Sequence, residues 1–125
     1  MRKSRRSENI RNVWDVQFSQ SAEEDIEAII DFIAGRIGVE RAEKILRLFR
    51  EAKNSLSMFP MRGHFTPELQ RFHILEFREI HVGVYRFIYQ VNDSANRVYI
   101  HAVLDGRRHV DEILTERIFR ERGMW

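Results

Sequence analysis

A chain of 125 residues, 43% apolar and 32% charged, is long enough for a single core and has no run near the roughly 20 apolar residues of a membrane helix. It lacks cysteine, which removes disulfides, thiolate catalysis and Cys-based zinc sites. The net charge of +2 hides an imbalance, because residues 1–12 carry Arg2, Lys3, Arg5, Arg6 and Arg11 against Glu8 alone, leaving the rest slightly acidic.

Residues 1–12 read as a flexible basic arm, of a kind that can touch nucleic acid or an acidic protein. Residues 13–125 read as one domain. The arm is not followed by an apolar stretch of secretory type, so the expected compartment is the cytoplasm. In Val13 to Phe18 the apolar residues alternate, with Trp14, Val16 and Phe18 on one face of a strand. Ser19 and Ser21 both offer helix N-caps, and Ser21 to Glu24 has capping-box spacing. Ala22, Ile26, Ile29, Ile30, Ile33 and Ile37 then recur at three and four, the face of an amphipathic helix that Gly38 ends. A second helix follows at once, with Ala42, Ile45, Leu46, Phe49, Ala52, Leu56 and Phe59 as its apolar pattern. So short a turn makes a helical hairpin. Its outer side bears Arg41, Lys44, Arg47, Arg50 and Lys53 at steps of three, a solvated face or a docking stripe for an acidic partner.

Phe59 to Gly63 breaks this helix, and a loop is expected to about Gln70. Three strands follow, Phe72 to Val82, Val84 to Val91 and Arg97 to Leu104, separated by turn residues that favour an antiparallel meander. A short helix is predicted from Val110 to Phe119. The fold class is therefore α+β: an N-terminal strand, a helical hairpin packed on an antiparallel sheet of four strands, and a short C-terminal helix.

In the middle strand of the meander Tyr85, Phe87, Tyr89 and Val91 should face the helices, which turns Arg86, Ile88 and Gln90 to the opposite, open face. In the last strand Val98, Ile100, Ala102 and Leu104 form the apolar set, and Tyr99 and His101 join Arg86. Arg86, His101 and Arg108 near one rim could hold a phosphate or carboxylate, although an arginine there more often pairs with an acid such as Glu79 or Asp105. The five histidines lack HExxH spacing, and no metal or cofactor is expected.

Together, Trp14 to Ser19, Ala22 to Ile26, Ser55-Leu56, Phe59-Pro60, Arg78 to Ile80, Val82 to Tyr89 and Val103 to Arg108 resemble, in order and spacing, the RelE/ParE toxins of type II toxin–antitoxin systems. The most specific pieces are Tyr85-Arg86 and Asp105-Gly106-Arg107-Arg108. The resemblance spans about Trp14 to Leu114 and implies the fold deduced above. It also implies growth inhibition and a cognate antitoxin whose C-terminal segment folds over the toxin, with Arg41, Lys44, Arg47, Arg50 and Lys53 as candidate contacts.

The family has two branches. RelE-like members cut mRNA on the ribosome without metal, and here Arg86, Arg108, Glu79, His81 and His101 would be the candidate groups. The lysine pair expected on the preceding strand aligns with Phe77 and Glu79, and a late tyrosine with Leu114. ParE-like members poison DNA gyrase and are not enzymes in their own right. Arg107-Arg108 and the closing helix favour that branch, with Arg107, Arg108, Arg117, Arg120 and Trp125 as candidate target contacts. The expected partners are thus an antitoxin and gyrase, with ribosome and mRNA as the alternative, and no membrane. A binding protein of the same fold without toxicity is the third reading.

Overall fold

Ser19 decides where the first helix begins. In the computed structural model, which describes residues 13–123, its Oγ accepts from the Ala22 N–H at 3.0 Å. Helix α1 then runs Gln20–Arg36 directly after strand β1, Asp15–Phe18. The capping-box spacing at Ser21 is not used, because Ser19 keeps the extended backbone of the strand (φ −67°, ψ 163°) and already fills the cap. The basic arm lies outside the described residues, as does Trp125.

Gly38, at φ +144°, turns the chain into α2, Val39–Met58. The segment expected to be loop holds more structure: a 3-10 turn at Pro60–Arg62, strand β2 at His64–Phe65 and a one-turn helix α3 at Pro67–Gln70. The strand expected from Phe72 starts only at Phe77, since the chain turns at His73 (φ +61°) and buries Leu69 and Ile74 instead of extending. Strands β3 (Phe77–Val82), β4 (Tyr85–Asn92) and β5 (Arg97–Asp105) form the meander, and α4 spans Val110–Glu121.

The sheet has five strands rather than four, in the order β1-β5-β4-β3-β2. β1 pairs with β5 in parallel, and the other pairings are antiparallel. The extra strand is β2, whose two residues are too few to show alternation in sequence.

On one face the helical hairpin covers Val16, Ile80, Tyr85, Phe87, Tyr89, Val98 and Ile100 with Ala22, Phe49, Ala52 and Leu56. The Phe49 ring stands edge-on to both Tyr85 and Phe87, with centroids 5.3 Å apart in each pair. The other face is not open. Val110, Leu114 and Ile118, one helical face at steps of four, pack with Leu69, Ile74, Phe77, Ile88, Ala102 and Leu104 into a second core. Ala102 and Leu104 reach that second core because the β4–β5 register shifts at Ile88/Tyr89, so that Val103 takes the hairpin side. The apolar set expected on one face of β5 is therefore split between two cores.

Polar ties near both edges of the sheet fix this arrangement. β1 ends at Phe18, opposite Ile100, and leaves the edge of β5 beyond it bare. There Ser19 Oγ donates to the His101 carbonyl at 3.2 Å, and Asp25 accepts the Val103 N–H at 2.9 Å. Arg117 of α4 donates to the same Asp25 carboxylate at 2.8 and 3.1 Å, joining the C-terminal helix to α1. At the opposite edge the fully buried Tyr89 hydroxyl donates to the Pro60 carbonyl at 2.8 Å and accepts from the Gly63 N–H at 3.0 Å.

A methyl group on Gly63 would lie 2.5 Å from both the Glu79 carbonyl and the Tyr89 hydroxyl, with no flexible side-chain end to yield. Gly63→Ala is therefore expected to cost about 1–3 kcal/mol in urea denaturation. Unchanged stability would show that β2 does not dock as described.

Candidate functional site

Alternation along β3 and β4 sets out the candidate site. Glu79 and His81 share one face of β3, and Arg86 stands opposite His81 on β4. His64 of β2 pairs in register with Glu79. All four lie on the face turned away from the helical hairpin, as expected for Arg86. The face is nevertheless covered at this point, and Arg86 is only 8% exposed.

The Arg86 guanidinium lies between two carboxylates. It donates to Glu68 of α3 through Nη1 at 2.9 Å and Nη2 at 2.6 Å, and Nη2 also donates to Glu79 Oε1. The hydrogen bonds to Glu68, and then the one to Glu79, hold Arg86 more firmly protonated than usual despite burial. Reciprocally, the bond to Arg86 keeps the Glu68 carboxyl below its ordinary range. Glu79 is almost fully buried, and its second oxygen, Oε2, meets His81 Nε2 at 3.0 Å and His64 Nε2 at 3.2 Å. Gly106 lets the turn after β5 close over Arg86, since a Cβ there would come within 3.2 Å of the Arg86 side chain. The Gly106 N–H bonds to the Val84 carbonyl at 2.8 Å. A cleft of about 410 Å³ opens beside these groups, lined also by Pro67, Gly83, Val84 and Arg107.

The other sequence candidates have different surroundings. Arg107 is exposed and forks onto Asp105 at 3.0 and 2.8 Å, which lowers the Asp105 pKa. Arg108 is exposed on the same turn, and its side chain makes no hydrogen bond among the described residues. His101 is buried beneath α4 against the rings of Phe77 and Tyr99, so Arg86, His101 and Arg108 do not form one anion site. Arg117 is engaged with Asp25, and Arg120 is exposed with Glu116 at 3.5 Å. Arg41, Lys44, Arg47, Arg50 and Lys53 are all exposed along α2 and form no ion pair among the described residues.

Two members of the site, His64 and Glu68, are absent from the sequence candidates. The Glu79-x-His81 alternation was available as a signal, because it puts both side chains on one strand face. Neither a two-residue strand nor a one-turn helix carries a period that would align the other two with it.

A profile of the ParE toxin of type II toxin–antitoxin systems (parDE) matches residues 16–110. Among solved structures, the chromosomal ParDE system from P. aeruginosa is similar at a TM-score of 0.59 and 18% identity, over 74% of this chain and 95% of that one. The RelBE2 toxin–antitoxin complex from Mycobacterium tuberculosis is similar at 0.52 and 20% identity, over 74% and 91%. These likenesses show a shared fold. No curated protein matches significantly.

His101 is strongly changed by its surroundings. Burial and then the Arg117 charge push its imidazole down to about 4. Its Nε2 meets Gln90 Oε1 at 2.6 Å, whereas Glu121, 3.4 Å from Nδ1, makes no hydrogen bond to offset the shift. A depressed folded-state pKa gives stability that is full above the unfolded value near 6.5 and is lost as pH falls through about 4. The loss attributable to His101 is about 3 kcal/mol between pH 7 and pH 4. His101→Gln is expected to flatten urea stability against pH by that amount. Parallel profiles for parent and variant would contradict the assignment.

Proposed function

Because the chain belongs to the ParE toxin family, and so is the toxin of a type II toxin–antitoxin system, we propose that it arrests growth by poisoning DNA gyrase. The observation that carries this reading is the state of Arg86. RNA cleavage through a 2′-hydroxyl needs cations free to meet the charge developing on the phosphorane. The best-matched arginine is spent on Glu68 and Glu79. The positions resembling the nuclease branch's lysines are Phe77, buried in the second core, and Glu79, an acid. The position resembling its late tyrosine is Leu114, fully buried.

Gyrase contact is assigned to Arg107, Arg108, Arg117, Arg120 and Trp125, at the turn after β5 and the C-terminal end. Of these Arg107, Arg108 and Arg120 are exposed, Arg107 being forked onto Asp105, and Trp125 lies outside the described residues. The partner is a cognate antitoxin. An acidic antitoxin segment that orders on binding suits the exposed cations of α2 from Arg41 to Lys53, with Leu48 exposed on the same helix. The work of both partners is expected in the cytoplasm.

One observation favours a second reading. Glu79 and His81 are joined at 3.0 Å beside a cleft, a pair able to move a proton in a metal-independent ribonuclease. Purified protein added to gyrase and supercoiled plasmid is expected to block supercoiling or trap cleaved DNA. The same protein on programmed ribosomes is expected to leave mRNA intact. Cuts in the ribosomal A site with gyrase unaffected would replace the gyrase reading with the ribonuclease one.

A further inference from the structure

The two imidazoles that converge on Glu79 have no part in the gyrase reading, and their geometry points to a divalent metal site. We propose that His64, Glu79 and His81 bind a late first-row transition-metal ion of the zinc class.

His64 Nε2 and His81 Nε2 both approach a single carboxylate oxygen, Glu79 Oε2, at 3.2 and 3.0 Å. The three donor atoms lie within 4.8 Å of one another. Metal–donor bonds of roughly 2.0–2.2 Å in a tetrahedron separate neighbouring donors by about 3.3–3.6 Å, so the two nitrogen–oxygen edges lie within a few tenths of an ångström of their liganded lengths. Only the two nitrogens must close up. Both histidine side chains are 60% exposed and can move, whereas Glu79, at 2%, cannot. Loading requires each Nε2 to offer its lone pair, with the ring proton on Nδ1.

The fixed part of the site is well braced. Arg86 holds Glu79 through Oε1 and leaves Oε2 for the metal, the kind of outer support that ligating carboxylates use. β2 is pinned next to His64, where Gly63 bonds Tyr89 through its N–H and Arg78 through its carbonyl. Charge favours a cation as well. One guanidinium faces two carboxylates, so with neutral imidazoles the cluster keeps one negative charge. Two imidazoles and one carboxylate oxygen suit zinc, nickel or copper better than magnesium, which prefers oxygen ligands throughout. The adjoining cleft leaves room for water at the remaining coordination position.

The test is a calorimetric titration of the full-length, tag-free chain with zinc chloride, repeated with magnesium chloride. The parent is expected to bind one zinc and to melt at a higher temperature when loaded. His64→Ala and His81→Ala should each weaken zinc binding at least about 100-fold, more than loss of an outer partner costs. Both side chains are exposed, so these variants should keep the parent's circular dichroism. His109→Ala, on the exposed turn before α4, should bind zinc as the parent does. Failure of the parent to bind zinc would overturn the proposal. Parental affinity in either cluster variant would do so too, as would magnesium binding that survives both.

Discussion

A buried guanidinium organises the sheet face that the helical hairpin does not cover. Arg86 enters that face because alternation on β4 sends Tyr85, Phe87 and Tyr89 to the hairpin side. Once there it is shielded by α3 and by the turn at Gly106, and a buried charge must be paired. Glu68 and Glu79 supply that pairing from two separate elements. The cluster therefore ties α3 and β3 to β4. The same demand explains the spacing of Tyr85-Arg86 and Asp105-Gly106-Arg107: the glycine allows close approach to the arginine, and the aspartate turns and holds Arg107 at the surface.

This arrangement separates roles that the family resemblance leaves mixed. A cation clamped by two acids stabilises the fold and is poorly placed to meet a developing phosphorane. Exposed cations that form no ion pair among the described residues are elsewhere, along α2 and at Arg108 on the turn after β5. The cleft beside Glu79 keeps a different chemistry, two mobile imidazoles on one fixed carboxylate.

Long periodic segments carried most of the fold into the sequence. The helical hairpin, the meander and the inward aromatic row of β4 are all legible from periods of three to four or of two. What escaped was short or irregular. β2 and α3 have too few residues to show a period, and together they deliver His64 and Glu68 to the site. The register shift in β5 reverses the facing of Ala102 and Leu104 without changing their apolar character, and so it hides the second core. The covering of the Arg86 face by α4 depends on packing between distant segments. Glu79 and His81 were legible as neighbours on a strand face, but their joint meeting with His64 depends on an edge strand of two residues.

The central claim is that Arg86 and Glu79 form one structural unit, and a double-mutant cycle measures it most directly. Arg86→Met and Glu79→Gln, alone and together, would be compared by urea denaturation at neutral pH. Arg86→Met strands the buried Glu79 carboxylate and is expected to cost about 3–5 kcal/mol; Glu79→Gln leaves Arg86 its Glu68 fork and costs less, while the double variant loses no more than Arg86→Met alone. Losses below about 1 kcal/mol that simply add would contradict the account, because they would mean that the guanidinium is neither buried nor paired as described.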